Sequence, residues 1–437
     1  MMPSIELKWL PPFQGTPEIE RTSATIQIHF GGENATRSID VWSASVQDGV
    51  RVSAYPLAMW LASSWWRIRW EPLPSRLRLM ADEAADINWR MSHDLPAAGY
   101  GFIWPQLRFA SDGESIRVIS RQSPALSDEP VRYLSDFDIS VPARDFETAI
   151  DGFIDLVLRR LDTLGETDLH LLWREVLKER ADADQTAIRR IEARLSYDPD
   201  EAPPDLIRRL LKLATDIGLD AANEIAPLCA GSNPSETLQG VVSLADRPGI
   251  SARVAISAAI SVPNGTMLPW QRARLLAASV RKSLGLGDGP LSDAQISDLL
   301  QISPEALTKK PSDHASFGLA IRVRDDRDLK LIFHKRNRPA RRFEAARFIA
   351  DSLSAEASDQ WLPITDAATA RQKLQRAFAA EFLCPIDSLR TYLGAEFLPE
   401  AFEDAAEHFG ISEMAIKSHL ANHHLIPRIL VESDTIF

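Results

Sequence analysis

Apolar and polar positions alternate along the first third of the chain. In "ATIQIHF" (residues 24–30), Ala24, Ile26, Ile28 and Phe30 share one face at period two, the pattern of a half-buried strand. "GGEN" is the turn after it, and "RSIDVW" (residues 37–42) is the expected returning strand. "QLRFASDGESIRVIS" (residues 106–120) predicts a second hairpin that turns at Asp112-Gly113. Residues 1–143 therefore read as a β-rich domain with one helix.

The period changes near residue 144. Phe146, Ile150, Phe153, Ile154, Val157 and Leu161 recur at helical spacing. "TDLHLLWREVLKERADADQTAIRRIEARL" predicts one further helix, and Pro203-Pro204 open another through "DLIRRLLKLATDIG". Residues 144–267 form a helical middle region. Its end is ambiguous: "RVAISAAISV" reads equally as a strand or a buried helical segment. From Trp270 the helical period returns, with Gly285 and Gly287 ending one helix and Ser292 capping the next. "FGLAIRVRDDRDLKLIFHK" predicts a hairpin turning near Asp325-Asp326. Residues 268–437 make up the third region. The fold class is α+β, with several domains.

Composition narrows the class. Of 437 residues, 45% are hydrophobic and 25% charged, the balance of a globular chain with a substantial core. A formal charge of −12 argues against a nucleic-acid binder that uses its whole surface. Cys229 and Cys384 stand alone, so they predict buried thiols in a reducing compartment and no cysteine zinc site. No apolar run reaches a membrane span, and the first residues lack the pattern of a signal peptide. The expected setting is cytoplasmic, with no membrane partner. Eight of the eleven tryptophans precede residue 105; flanked mostly by apolar residues, they predict core rather than a recognition surface. Neither G-x-S-x-G, a P-loop nor a dinucleotide-binding glycine pattern follows a strand.

Candidate chemistry gathers near the end of the chain. "RRFEAARFIADSL" (residues 341–353) is an amphipathic helix with Arg347 and Asp351 four apart on one face. "FAAEFLCP" (residues 378–385) follows, and then "AAEHFGISEMAIKSHLANHHLI" (residues 405–426), whose Ala406, Gly410 and Ile416 suit a helix-turn-helix, with Ser412 as an N-cap. These three stretches together resemble the ImmA/IrrE family of zinc-dependent metallopeptidases over residues 268–427. The resemblance implies a zincin-like C-terminal domain. It sets the family's two zinc histidines on Arg347 and Asp351 and its general-base glutamate on Phe348. Only the third ligand, Glu381, keeps its type.

Arginine has no lone pair for a metal, and phenylalanine accepts no proton. A catalytic zinc needs three protein donors and a water. With zinc lost, Arg347 is the expected counter-charge for Glu381 and Asp351. That expectation is a buried Arg347–Asp351–Glu381 cluster, with no metal and no cofactor. His419 and His423 have ligand-compatible spacing but read as ordinary histidines, as does His334. "HKRNRPARR" supplies a basic patch of Lys335, Arg336, Arg338, Arg341 and Arg342. The expected function is a catalytically degenerate ImmA/IrrE-like module that binds a protein in a mobile-element, toxin–antitoxin or defence setting. Alternatives are an active zinc endopeptidase cleaving a helix-turn-helix repressor, and a DNA-binding regulator using the basic turn and the closing helices.

Overall fold

The computed structural model describes residues 2–12, 14–74, 87–124, 129–256, 267–309, 315–323, 327–394 and 399–427. It is a mixed α+β protein that divides into two compact units, Met1–Ile207 and Arg208–Phe437. Among the described residues no helix is long and apolar enough to cross a membrane.

The first unit runs β1 (Ser4–Trp9), α1 (Pro17–Arg21), β2 (Ser23–Phe30), β3 (Glu33–Asn34), β4 (Ser38–Asp40), β5 (Ser45–Gln47) and β6 (Val50–Ser53). It continues with α2 (Ala54–Ser63), α3 (Trp65–Trp70), α4 (Ile87–His93), β7 (Gln106–Ser111), β8 (Ser115–Arg121), β9 (Val131–Tyr133) and β10 (Phe137–Pro142). Then come α5 (Ala143–Leu161), α6 (Asp168–Ala181) and α7 (Ala183–Arg194). β2 is antiparallel to β1, β3 and β6, and the face made by Ala24, Ile26, Ile28 and Phe30 is buried as the alternation requires. The β7–β8 hairpin turns at Gly113, with Gly113 at φ +95°, and β10 completes its sheet.

Three expectations need correction here. Residues 37–42 do not return against β2. The Thr36 hydroxyl accepts the Ile28 amide proton at 3.1 Å, taking the place of a ladder carbonyl, and the chain leaves the sheet after β3. Ser38–Asp40 pairs with β5 and β9 instead. The β-rich region holds more than one helix, because the apolar run of residues 55–66 forms α2 and the start of α3, with Ser53 capping α2. The single helix expected over residues 167–195 is two. Asp182 ends α6 in extended backbone, and its carboxylate accepts the amides of Asp184 and Gln185 to start α7.

Burial follows the apolar pattern closely. Phe146, Ile150, Phe153, Ile154, Val157 and Leu161 of α5 face the sheets within one shared core. Trp60, Trp65, Trp66, Trp89 and Trp104 are buried, in line with the core reading, whereas Trp42 is 89% exposed. Beneath Trp89, which stacks on His93 at 4.2 Å, lies a buried charge group: Arg67 Nε and His93 Nε2 both meet Glu71 Oε2, at 2.7 and 2.9 Å.

The second unit contains α9 (Leu219–Ile225), α10 (Pro234–Ala245), β11 (Ile250–Arg253), α11 (Pro269–Ser283), α12 (Asp293–Leu300), β12 (Gly318–Arg322), β13 (Asp328–Ile332) and α13 (Arg338–Ser354). β14 (Trp361–Ile364), α14 (Ala370–Leu383), α15 (Ile386–Leu393), α16 (Pro399–Phe409) and α17 (Glu413–Asn422) complete it. The division between the units falls inside α8 (Pro204–Ile217). The helices of residues 144–267 are thus shared out between two cores. The sheet is antiparallel in the order β11-β13-β12-β14. The β12–β13 pairing matches the predicted hairpin, and its tip at Asp325-Asp326 lies outside the described residues. The first part of "RVAISAAISV" closes β11; residues 257–266 lie outside them too.

α14 packs against both α11 and α13. Phe378 and Phe382 stack at 5.2 Å, and Phe348 meets Phe333 edge-on at 5.4 Å. Gly218 turns the chain between α8 and α9 at φ +101°, where a Cβ would lie 2.2 Å from Asp359 Oδ1.

Candidate functional site

α13 begins at Arg338, inside the basic run and ahead of the helix read over residues 341–353. Asn337 caps it by accepting the Ala340 amide, and Pro339 occupies the first turn. The basic run does not form a surface patch. Arg341 and Arg342 are buried, Arg341 lying over the Phe333 ring at 4.4 Å. Arg342 donates to Gly410 O at 2.8 Å and Leu291 O at 2.5 Å, and also pairs with Asp293. Arg338 pairs with the same carboxylate at 2.7 Å. Lys335 is half-buried, which leaves Arg336 and the paired Arg338 as the exposed members. Residues 338, 341 and 342 share one face of α13; Arg338, in the first turn, is exposed, while Arg341 and Arg342 are buried one turn further on. His334 donates its backbone N–H to buried Glu344 at 3.0 Å, as does Lys335, so that carboxylate closes the step from β13 to α13.

The expected charge cluster is not assembled. Arg347 is buried, as expected, but its Nη2 donates to Thr365 O at 2.7 Å, Gln372 Oε1 at 2.6 Å and Gln375 Oε1 at 3.2 Å. All three acceptors are neutral. Burial, and then the nearby Arg376 guanidinium, lower the pKa of Arg347. Asp351 is fully buried and is gripped by Arg371 of α14, Nε to Oδ1 at 2.8 Å and Nη2 to Oδ2 at 2.9 Å. Arg371 Nη1 reaches Asp359 at 2.6 Å as well. Phe348 is wholly buried in the core. These three positions do not fit a metal: one is a committed cation, one is a packed ring, and the carboxylate is already neutralised.

Glu381 lies apart from that group, on the last turn of α14. Its Oε1 accepts the Ile386 amide at 3.4 Å, while Oε2 faces His419 of α17 and His423, the residue that caps the end of that helix. His419 Nε2 stands 3.5 Å from Oε2, and His423 Nε2 3.9 Å from it. The two imidazoles meet edge-on at 4.8 Å. Burial pushes the His419 pKa down to about 3 and that of His423 to about 4, so both rings are neutral near pH 7 and each keeps a lone pair. Burial also raises the pKa of Glu381, against the pull of the Ile386 amide and Arg274. Arg274 Nε, on a half-exposed side chain, is 3.9 Å from Oε2.

α17 follows a tight turn at Gly410 (φ +64°) and is capped by Ser412, which accepts the Ala415 amide at 3.2 Å. α16 and α17 pack together across this turn. His419 and His423 are the residues that reading the sequence undervalued. Their i,i+4 spacing was visible, but their meeting with a glutamate some forty residues earlier was not. No protein family, curated protein or solved structure matches the chain.

Proposed function

We propose that the second unit is an ImmA/IrrE-like, zincin-like domain that acts by binding a protein, with no peptidase chemistry at α13. The observation that carries this reading is Arg347. It stands where the family's first zinc histidine falls, it is buried, and its guanidinium is taken up by Thr365, Gln372 and Gln375. Phe348 offers no base beside it, and Asp351 is occupied by Arg371. A domain built this way keeps the helices of a cleft after the chemistry is gone. The partner is a helix-turn-helix regulator or a toxin, in a cytoplasmic mobile-element, toxin–antitoxin or defence setting. The inward turn of Arg341 and Arg342 supports a protein partner over DNA.

The test uses the purified full chain and the helix-turn-helix regulator or toxin encoded beside it, with Zn²⁺ added. The expected result is a co-eluting complex in which the partner's mass is unchanged. A partner cleaved at a defined bond, or no complex at all, overturns the reading.

A further inference from the structure

Three lone-pair donors from two helices converge beside the end of α14. His419 and His423 lie one turn apart, which sets both rings on one side of α17, and they point at one oxygen of Glu381. The three donor atoms all lie within 4.8 Å of one another. Their spacing to Glu381 Oε2 is too long for hydrogen bonds, which fall at about 2.7–3.2 Å. Glu381 Oε2 and His419 Nε2 are both buried and have no hydrogen-bond partner, and His419 is only 4% exposed. A carboxylate oxygen and an imidazole lone pair left facing each other in a buried place repel, unless a positive centre lies between them. Tetrahedral zinc, with bonds of ~2.0–2.2 Å, sets neighbouring donor atoms roughly 3.3–3.5 Å apart.

We propose that Glu381, His419 and His423 bind one divalent transition-metal ion, with zinc the best match. Two imidazoles and one carboxylate suit zinc or cobalt and disfavour calcium or magnesium, which take oxygen donors. Three protein donors leave one coordination position for water or for a donor from a partner. The site also has outer support. The Cys384 backbone lies beside the His419 ring and raises its pKa against the effect of burial. Arg281 is held off by the carbonyls of Phe382, Gly287 and Gly289. Arg274, half exposed, is the competing cation that the ion displaces from Glu381. The ion would tie α17 to α14. The site does not depend on how α13 is read, since it shares only Glu381 with that frame.

The test takes the full chain, stripped with a chelator and dialysed, and titrates it with Zn²⁺ alone and then with Co²⁺. One ion per chain is expected, and the cobalt form should show the visible absorption of a four-coordinate site. Glu381→Gln and His423→Gln should each weaken Zn²⁺ binding by at least ~10-fold while the far-ultraviolet circular dichroism stays unchanged. His423 is the better probe, because His419 lies deeper and its replacement disturbs packing. A folded wild-type chain that binds no Zn²⁺ at micromolar concentration, with Arg274 alone neutralising Glu381, overturns the proposal. So does binding that survives both substitutions.

Discussion

Arg371 holds Asp351 by two near-parallel hydrogen bonds, at 2.8 and 2.9 Å, across the α13–α14 interface. Asp351 is fully buried, the Arg371 side chain is 13% exposed, and Asp359 shares the same guanidinium. Arg371→Met strands two carboxylates away from water. Its expected cost is about 3–5 kcal/mol, read from the denaturant midpoint of the second unit. A loss below about 1 kcal/mol would show that the pair is solvated.

Arg347 gives the contrasting case. Its hydrogen-bond acceptors are neutral, so Arg347→Met removes a buried cation and unpairs no hydrogen-bonded carboxylate. Lost hydrogen bonds are the main cost, and Gln372 Oε1 keeps the Thr365 amide at 2.9 Å. The expected destabilisation is roughly 1–2 kcal/mol, well short of that for Arg371→Met. Equal losses in the two variants, measured side by side, would mean that Arg347 meets a carboxylate after all.

Acid should weaken the first unit through Glu71. Burial raises its pKa, but the bonds from His93 and Arg67 outweigh that and hold it below the ordinary value of 4.5. A carboxyl with a depressed folded pKa adds stability above its unfolded pKa and loses it as the pH falls toward the folded value. The urea midpoint of the first unit should therefore fall as the pH drops below about 4.5. Glu71→Gln should flatten that slope. An unchanged slope in the variant would assign the acid sensitivity elsewhere.

Gly218 tests close backbone approach. Its φ of +101° disfavours any side chain, and a Cβ there would meet Asp359 Oδ1 at 2.2 Å and Asp359 Cα at 2.7 Å. Gly218→Ala should cost on the order of 1–3 kcal/mol. Because Asp359 would have to move, Arg371 should lose part of its anchorage. Thermal shifts of Gly218→Ala, Arg371→Met and the double variant should then fail to add. Strict additivity would separate the two sites.

Local pattern carried much of this fold. The alternation in β2, the Ser292 and Ser412 caps and the turn at Gly113 all follow from residues within a few positions of each other. Strand partners did not follow, because β4 joins β5 and β9 through a choice made by Thr36 outside its own run. At the candidate site, helical spacing put Arg347 and Asp351 on one face and made them look like a pair. It could not show Arg371, Gln372 and Gln375 arriving from α14 to claim them separately. The convergence of Glu381 with His419 and His423 is equally non-local, set by how α17 folds back after Gly410.

Arg342 has a bearing on kinetics. Its guanidinium is divided among the carbonyls of Leu291 and Gly410 and the carboxylate of Asp293. The hairpin of α16 and α17 cannot lift from α13 without breaking the bond to Gly410, and a lysine, with one small ammonium group, could not span all three acceptors. Amide protons in α17 should therefore exchange with solvent in step with those of α13, as one cooperative opening, although the two helices lie some seventy residues apart in the chain.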